Sequence, residues 1–149
     1  MKKRVLKDIL ITPDFDRLVK KLHLTDQSDI EALQEMVEEA FSTANPKAVY
    51  GRADIDEKGK DYIVIDGIKF KSRVLTVNLE DRYKVFPYIV TAGMEVEKWS
   101  EKFDGVLENY WTDVIKENIL RQAISRVKEQ MKNEYKLGNI SDMNPGSLE

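Results

Sequence analysis

Apolar residues recur at every fourth position over residues 104–137, and this pattern predicts a helix that is the longest element of the chain. Core packing is the ordinary role of such a stripe. Four residues advance about 400° around a helix axis, so the stripe drifts by about 40° at each step. We therefore expect the helix to bend, to break or to pack against different elements along its length, with Gly138 as its C-cap. The stripe comprises Leu107, Trp111, Ile115, Ile119, Ala123, Val127, Met131 and Tyr135.

Two shorter helical patterns precede the long one. Residues 14–24 place four apolar side chains on one face and predict a short helix. Ser28-Asp29-Ile30-Glu31 forms a capping box that predicts the start of a second helix, and Asn45-Pro46 is expected to end it. The apolar face of the first helix comprises Phe15, Leu18, Val19 and Leu22. The face of the second comprises Ile30, Leu33, Met36, Val37, Ala40 and Phe41.

Strand patterns fill the middle of the chain. Residues 47–55 predict a strand, and Glu57 to Lys60 predicts a polar turn that contains Gly59. Tyr62 to Asp66 predicts a second strand, and Asp66-Gly67 favours a tight hairpin into a third, Ile68 to Lys71. The pattern of the next segment, Val74 to Asp81, fits both a strand and a short helix.

The segment from Phe86 to Trp99 reads FPYIVTAGMEVEKW and predicts a strand that feeds a helix. Residues 85–91 are the strongest strand pattern, in which Pro87 is expected at the strand start or at a sheet edge. Thr91 and Gly93 form the small-residue turn before the helix, which is a common place for a ligand to meet backbone N–H groups. The alternative is a connection that needs a small residue only to turn.

Composition narrows the class of protein. A chain of 149 residues with 42% hydrophobic and 34% charged residues predicts one globular domain spanning residues 1–149. The net charge of −3 gives no general attraction to nucleic acid or to acidic membranes. The basic start MKKRVLK precedes an apolar run too short for a signal peptide, and no segment is long enough to span a membrane. We therefore expect a cytoplasmic protein.

Several kinds of chemistry lack the residues they need. The absence of cysteine excludes disulfides, thiolate metal sites and cysteine nucleophiles, and no glycine-rich phosphate loop is present. The single histidine, His23, follows two lysines and is expected to be exposed or half packed. Paired acids such as Glu38-Glu39 and Glu95 with Glu97 are typical of solvated helix faces. Near the end, Asn144-Pro145-Gly146-Ser147 is a turn whose amides suit a carboxylate or phosphate, unless it is a frayed or cloning-derived end.

Three passages together resemble one known family. The first is Pro46-Lys47-Ala48-Val49-Tyr50 before the hairpin, the second is FPYIVTAGMEVEKW, and the third is Tyr110-Trp111 followed by the tail Met143 to Leu148. In their order and spacing they resemble the activation (reactivation) domain of vitamin B12-dependent methionine synthase in its stand-alone form. The resemblance covers most of residues 5–149, although no single motif is very specific.

The resemblance implies an α+β fold with an antiparallel sheet, flanking helices and one long C-terminal helix. It implies an accessory component of a corrinoid methyltransfer system, which docks over the cobalamin of a corrinoid-binding protein or methyltransferase. In the family, S-adenosylmethionine donates a methyl group to the reduced cobalt, and an electron donor such as flavodoxin supplies the electron. The residues at the corresponding cofactor-binding positions are Thr91, Gly93, Asn144, Pro145, Gly146 and Ser147.

The chain departs from the family pattern in its tail. Asp142 stands where the family has the Arg of its S-adenosylmethionine segment, and Ser147 stands where it has Tyr. The family's helix carboxylate matches Glu117, Glu129 or Glu134 equally well. Stand-alone members also run on past this segment, so we expect a truncated or short form.

The chain also departs from the family of cobalamin-binding domains. It lacks the Asp-x-His-x-x-Gly segment that supplies the lower cobalt ligand, so cobalamin is expected only through a partner protein. The alternative function is a non-catalytic module that docks on a corrinoid protein without binding S-adenosylmethionine. A third interpretation is a small α+β protein unrelated to vitamin B12. The sequence leaves open whether the chain is itself part of an enzyme, and it predicts neither nucleic acid nor membrane as a partner.

Overall fold

The computed structural model describes residues 1–144, which contain five helices and seven strands. The helices are α1 Phe15–Lys21, α2 Gln27–Thr43, α3 Arg73–Asn78, α4 Met94–Ser100 and α5 Val106–Tyr135. The strands are β1 Lys3–Leu6, β2 Lys47–Gly51, β3 Ala53–Lys58, β4 Tyr62–Ile65, β5 Ile68–Lys71, β6 Lys84–Val85 and β7 Tyr88–Thr91. The mixed α+β class with antiparallel strands and a long C-terminal helix is thus confirmed.

The strands form a three-stranded sheet in the order β1-β2-β7 and a four-stranded sheet in the order β5-β4-β3-β6. In the second sheet β3 pairs antiparallel with β4 and β6, and β4 pairs antiparallel with β5. The predicted hairpin is confirmed, since Ile65 and Ile68 are partners across a two-residue turn. Asp66 and Gly67 have φ values of 48° and 78°, and a type I′ hairpin turn requires positive φ at both of its central residues.

The chain groups into two compact units. The first unit comprises Met1–Val5, Val49–Ile89 and the described residues from Met131 onwards. Helix α3 begins after Ser72, whose Oγ accepts a hydrogen bond from the Leu75 amide at 3.1 Å. This decides the ambiguous segment after the hairpin in favour of a helix. One buried cluster of this unit comprises Ala53, Ile63, Ile65, Leu75 and Leu79.

The second unit comprises Leu6–Ala48 and Val90–Gln130, and its core is larger. The apolar faces predicted for α1 and α2 are confirmed, because their central side chains are buried together with residues of α4 and α5. Helix α2 ends at Thr43, just before Asn45-Pro46 as predicted. The buried core of this unit comprises Leu18, Leu22, Leu33, Met36, Val37, Ala40, Val96, Trp111, Val114, Ile115 and Ile119.

The long helix α5 is continuous and buries most of its predicted stripe. Stripe residues from Trp111 to Met131 are almost completely buried. Trp111 packs in the core of the second unit, whereas Tyr135 packs against Tyr50 and Phe86 of the first, as expected for a drifting stripe. The prediction is wrong at Leu107, which is 56% exposed because it precedes the part of the helix that the core covers.

Two predicted strands are each interrupted. The strand predicted over residues 47–55 is two strands, because β2 ends at Gly51 and β3 begins at Ala53. The strand predicted over 85–91 is also two, in different sheets, with Phe86 and Pro87 between them. Proline has no N–H to donate to a ladder, and the carbonyl of Pro87 instead accepts a hydrogen bond from the Gly51 amide.

The remaining corrections concern the ends of elements. The N-cap of α2 is Asp26 rather than Ser28, because the Asp26 carboxylate accepts the Ser28 amide at 2.8 Å. Strand β3 runs to Lys58, through part of the predicted polar turn. At the end of α5 the left-handed residue is Lys136, with φ of 55°, and not the predicted Gly138. Within residues 1–144, no helix is both long enough and apolar enough to cross a bilayer.

Candidate functional site

The predicted strand-to-helix turn between β7 and α4 is present. Gly93 is the N-cap of α4, and its amide donates to the Thr91 hydroxyl at 3.1 Å. This closes the turn on itself, so the Gly93 N–H already has a partner within the chain. The sequence placed Glu95 and Glu97 in the first turn of the helix, and both are there, where carboxylates complement the helix dipole.

Glycine is the residue that fits at position 93 without strain. Its φ is 96°, and a Cβ at this position would lie 2.7 Å from the carbonyl oxygen of Asn45. The absence of a side chain therefore lets the turn approach the segment that follows α2. This close approach gives Gly93 a structural reason that does not depend on a ligand.

The three carboxylates proposed for the family's helix position all have cationic partners. Glu117 pairs with Arg121 at 2.9 Å and Glu129 with Arg126 at 3.6 Å. The Arg121 hydrogen bond lowers the pKa of the Glu117 carboxyl. Glu134 accepts from Arg4 at 2.8 Å and from the Tyr50 hydroxyl. Glu134 is the most enclosed of the three, and it is the one that lies beside a cavity described below.

The tail contributes one charged side chain to a defined contact. Asp142 accepts a hydrogen bond from the Tyr88 hydroxyl at 2.7 Å. Burial, together with this hydrogen bond, raises the pKa of Tyr88 to about 12. Met143 packs on the core of the first unit, and its sulfur accepts from the Asn78 amide. Of the predicted tail residues Asn144 is described and exposed, while Pro145, Gly146 and Ser147 lie outside the described residues.

The described tail does not fit the carboxylate end of S-adenosylmethionine as the family binds it. That ligand group needs a cation, and the family supplies a guanidinium that can bind it through two hydrogen bonds. Asp142 instead places a carboxylate at this position, and Tyr88 is its hydrogen-bond donor. Like charges repel, so this carboxylate does not suit the carboxylate end of that ligand.

A cavity in the first unit is lined mainly by cationic side chains. Its volume is about 400 Å³, and four cationic side chains line it with one carboxylate and one phenol. None of these residues was predicted as a site residue. The lining residues are Lys2, Arg4, Arg52, Asp54, Lys84 and Tyr135.

The connection between β2 and β3 and the pairing of β3 with β6 place three of these residues. Arg52 lies between β2 and β3, and both Arg52 and Asp54 are exposed, whereas Gly51 and Ala53 are buried. Lys84 is the cross-strand partner of Asp54, and its ammonium lies 2.7 Å from the carboxylate. This hydrogen bond lowers the pKa of Asp54, so the carboxylate is charged at neutral pH.

The start of β1 supplies the other two cations. A Cβ at Gly51 would lie 2.9 Å from the carbonyl oxygen of Lys2, so glycine lets the two segments approach closely. Lys2 comes just before β1 and Arg4 lies within it, and both side chains line the cavity. The Nε of Arg4 donates to Glu134 at 2.8 Å, which fixes one side of its guanidinium.

The end of α5 forms the phenolic wall. The ring of Tyr135 packs edge-on to Tyr50 and tilted against Phe86, at centroid distances of 6.2 Å and 5.1 Å. Burial raises the pKa of Tyr135, so its hydroxyl remains protonated and can donate a hydrogen bond. Arg4 and Arg52 act on the same hydroxyl in the opposite direction, as expected for cations that face it.

Sequence reasoning missed this cavity because its residues come from four distant segments. The basic run at the start of the chain was visible, but it was weighed only as a targeting signal. The alternation of Arg52 and Asp54 between buried small residues was the other available signal. Only the pairing of β3 with β6 brings Lys84 to the same place.

Comparison of the chain with models of protein families and with curated proteins gives no match. The class that the structure establishes is therefore a mixed α+β protein with antiparallel strands and a long C-terminal helix. Within residues 1–144 no three His, Asp or Glu side chains cluster as a metal site would require.

Proposed function

We propose that this protein is an accessory component of a corrinoid-dependent methyltransfer system and docks on a partner that holds the cobalamin. Two things support the proposal. The three passages that resemble the activation domain of methionine synthase cover most of the chain. The element order β7, Gly93, α4 and long α5 is the order that this resemblance implies. In the full form of the proposal, the partner also receives an electron from a separate donor.

The observation that favours docking is the exposed start of α5. Val106, Leu107 and Tyr110 are 89%, 56% and 54% exposed, and they span only about 100° of the helix circumference. The apolar stripe that is buried from Trp111 onwards therefore continues into solvent at this end. Clustered exposed apolar side chains of this kind mark interaction surfaces more often than isolated ones do.

The experiment measures binding of the chain to a corrinoid protein in the oxidised and methylated cobalt states. Replacing two of these exposed side chains (Leu107→Gln with Tyr110→Gln) should weaken binding about tenfold or more, as loss of an apolar anchor does. The matched control is Val74→Gln with Val77→Gln on α3, where two apolar side chains are also exposed. Failure to bind either cobalt state, or equal weakening by both variants, would contradict docking through α5. A corrinoid protein or methyltransferase encoded beside this chain would support the class.

A second candidate function is a docking module that does not bind S-adenosylmethionine. The observation in its favour is Asp142, whose carboxylate accepts from Tyr88 where the family has a cation. Calorimetric titration and thermal shift with about millimolar S-adenosylmethionine separate the two forms. The module form predicts no heat and no shift, both for the natural chain and for Asp142→Asn. Saturable heat from the natural chain would contradict it and support the methyl-donor form.

A further inference from the structure

The charges around the cavity of the first unit are not balanced by the protein itself. Lys84 pairs with Asp54, and Arg4 pairs with Glu134. Lys2 and Arg52 have no carboxylate within salt-bridge distance among residues 1–144. The chain as a whole is acidic, with a net charge of −3, so this concentration of cations is local. Such a site attracts an anion, because the anion offsets repulsion between the cations.

From this geometry we infer that the cavity is a binding site for a small phosphorylated molecule that carries two or more negative charges. Arginine presents a planar fork of donors that matches phosphate oxygens, and two arginines line the site. Lys2 and Lys84 add point charges, and the Tyr135 hydroxyl adds a neutral donor. A single charge would leave part of this donor set without a partner.

The size and shape of the site favour a small molecule over a nucleic acid. A volume of about 400 Å³ lies within the range of small-ligand cavities. The cations that line the recess come from the start of the chain, from the connection between β2 and β3 and from β6, rather than from one continuous strip along which a phosphate backbone could run. The aromatic packing of Tyr135 against Tyr50 and Phe86 fixes one wall before any ligand enters.

The first test titrates the isolated chain with inorganic pyrophosphate by calorimetry at constant ionic strength. We expect saturable binding that is stronger than binding of inorganic phosphate and that weakens as salt increases. No saturation up to about 10 mM pyrophosphate would overturn the inference. Tighter binding of a single-stranded oligonucleotide than of pyrophosphate would also overturn it, in favour of a nucleic-acid surface.

Three variants assign the binding to this cavity. Arg52→Gln removes an exposed cation that has no ion pair among the described residues, and it should weaken pyrophosphate binding about tenfold. Asp54→Asn removes the one carboxylate that lines the cavity among residues 1–144, and it should strengthen binding by about threefold. Arg17→Gln on α1 makes the same change of charge at an exposed residue outside the cavity, and it should leave affinity within about twofold.

The opposite signs of the first two variants distinguish a site from general electrostatic attraction. Equal weakening by Arg52→Gln and Arg17→Gln would overturn the inference, and so would an Asp54→Asn variant that binds no more tightly. Because no corrinoid protein is present in these titrations, their outcome does not depend on the proposed docking function.

Discussion

The two compact units differ in where their chemistry lies. The second unit buries eleven residues in one continuous cluster built from four helices. Charged side chains of this unit form hydrogen bonds within it. For example, Glu39 accepts hydrogen bonds from both Trp99 and Lys102. The first unit buries five residues in its cluster, and it holds the cavity with its excess of cations. The contrast suggests that stability is concentrated in the helical unit and that ligand chemistry is concentrated in the sheet unit.

The most severe test of this contrast truncates one fully buried isoleucine in each unit. Ile115 lies in the larger cluster and Ile63 in the smaller, and both have no exposed surface. We expect Ile115→Ala to lower the free energy of unfolding by about 4 kcal/mol and Ile63→Ala by about 2 kcal/mol. The smaller cluster should cost less because its neighbours are partly exposed and can close the space. Urea denaturation followed by circular dichroism measures both values.

An equal or greater loss from Ile63→Ala would contradict this ranking of the two cores. The paired Ile→Val substitutions provide the control. Each removes one methylene, and each should cost about 1 kcal/mol whichever unit it is in.

A second comparison uses two glycines with positive φ. Gly93 in the helical unit has φ of 96°, and a Cβ there would approach the Asn45 carbonyl oxygen to 2.7 Å. Gly67 in the hairpin has φ of 78°, with no atom within 4 Å of the added Cβ. We therefore expect Gly93→Ala to cost about 3 kcal/mol and Gly67→Ala about 1 kcal/mol, the latter from backbone strain alone. Thermal unfolding of the two variants gives the measurement.

If Gly67→Ala costs as much as Gly93→Ala, the close contact with Asn45 contributes nothing beyond strain. That outcome would also weaken the structural explanation of Gly93. The turn between β7 and α4 would then again be a candidate ligand site.

Local patterns predicted the helices better than the strands. The stripe of α5 and the apolar face of α2 could be predicted because each pattern repeats over several helical turns. A pattern of that length indicates which face of the helix is buried. The predicted burial of Leu107 was wrong because periodicity does not show where along the helix the core ends. The strand predictions were wrong at Arg52 and Pro87, where the chain passes from one sheet to the other. Which strands pair is decided by the folded chain and not by the local pattern.

The candidate cavity was less predictable than the fold for the same reason. Lys2, Arg52 and Lys84 are far apart in the chain, and none belongs to a motif. The neighbouring tail was predicted on resemblance, and its ligand role remains a prediction. What the structure adds there is the contact between Asp142 and Tyr88.

The smallest expected effect tests how that contact holds the tail in the sheet unit. Tyr88→Phe removes one hydrogen bond, and it should lower the free energy of unfolding by about 1 kcal/mol at neutral pH. The pKa of Tyr88 is raised from 10.0 to about 12 in the folded chain. Its contribution is therefore complete below pH 10, and it disappears as the pH rises through about 12. Stability measured across this window should converge for the natural chain and the variant.

A constant difference between the two proteins up to pH 12 would contradict the assignment of that titration to Tyr88. Tyr135 also has a raised pKa, but it is present in both proteins and cancels in the comparison. Hydrogen exchange gives a second readout, because amides near Asp142 should lose protection in Tyr88→Phe while those of α2 do not. Loss of protection in α2 as well would contradict a local role for this contact, because the variant would then destabilise the chain beyond the tail.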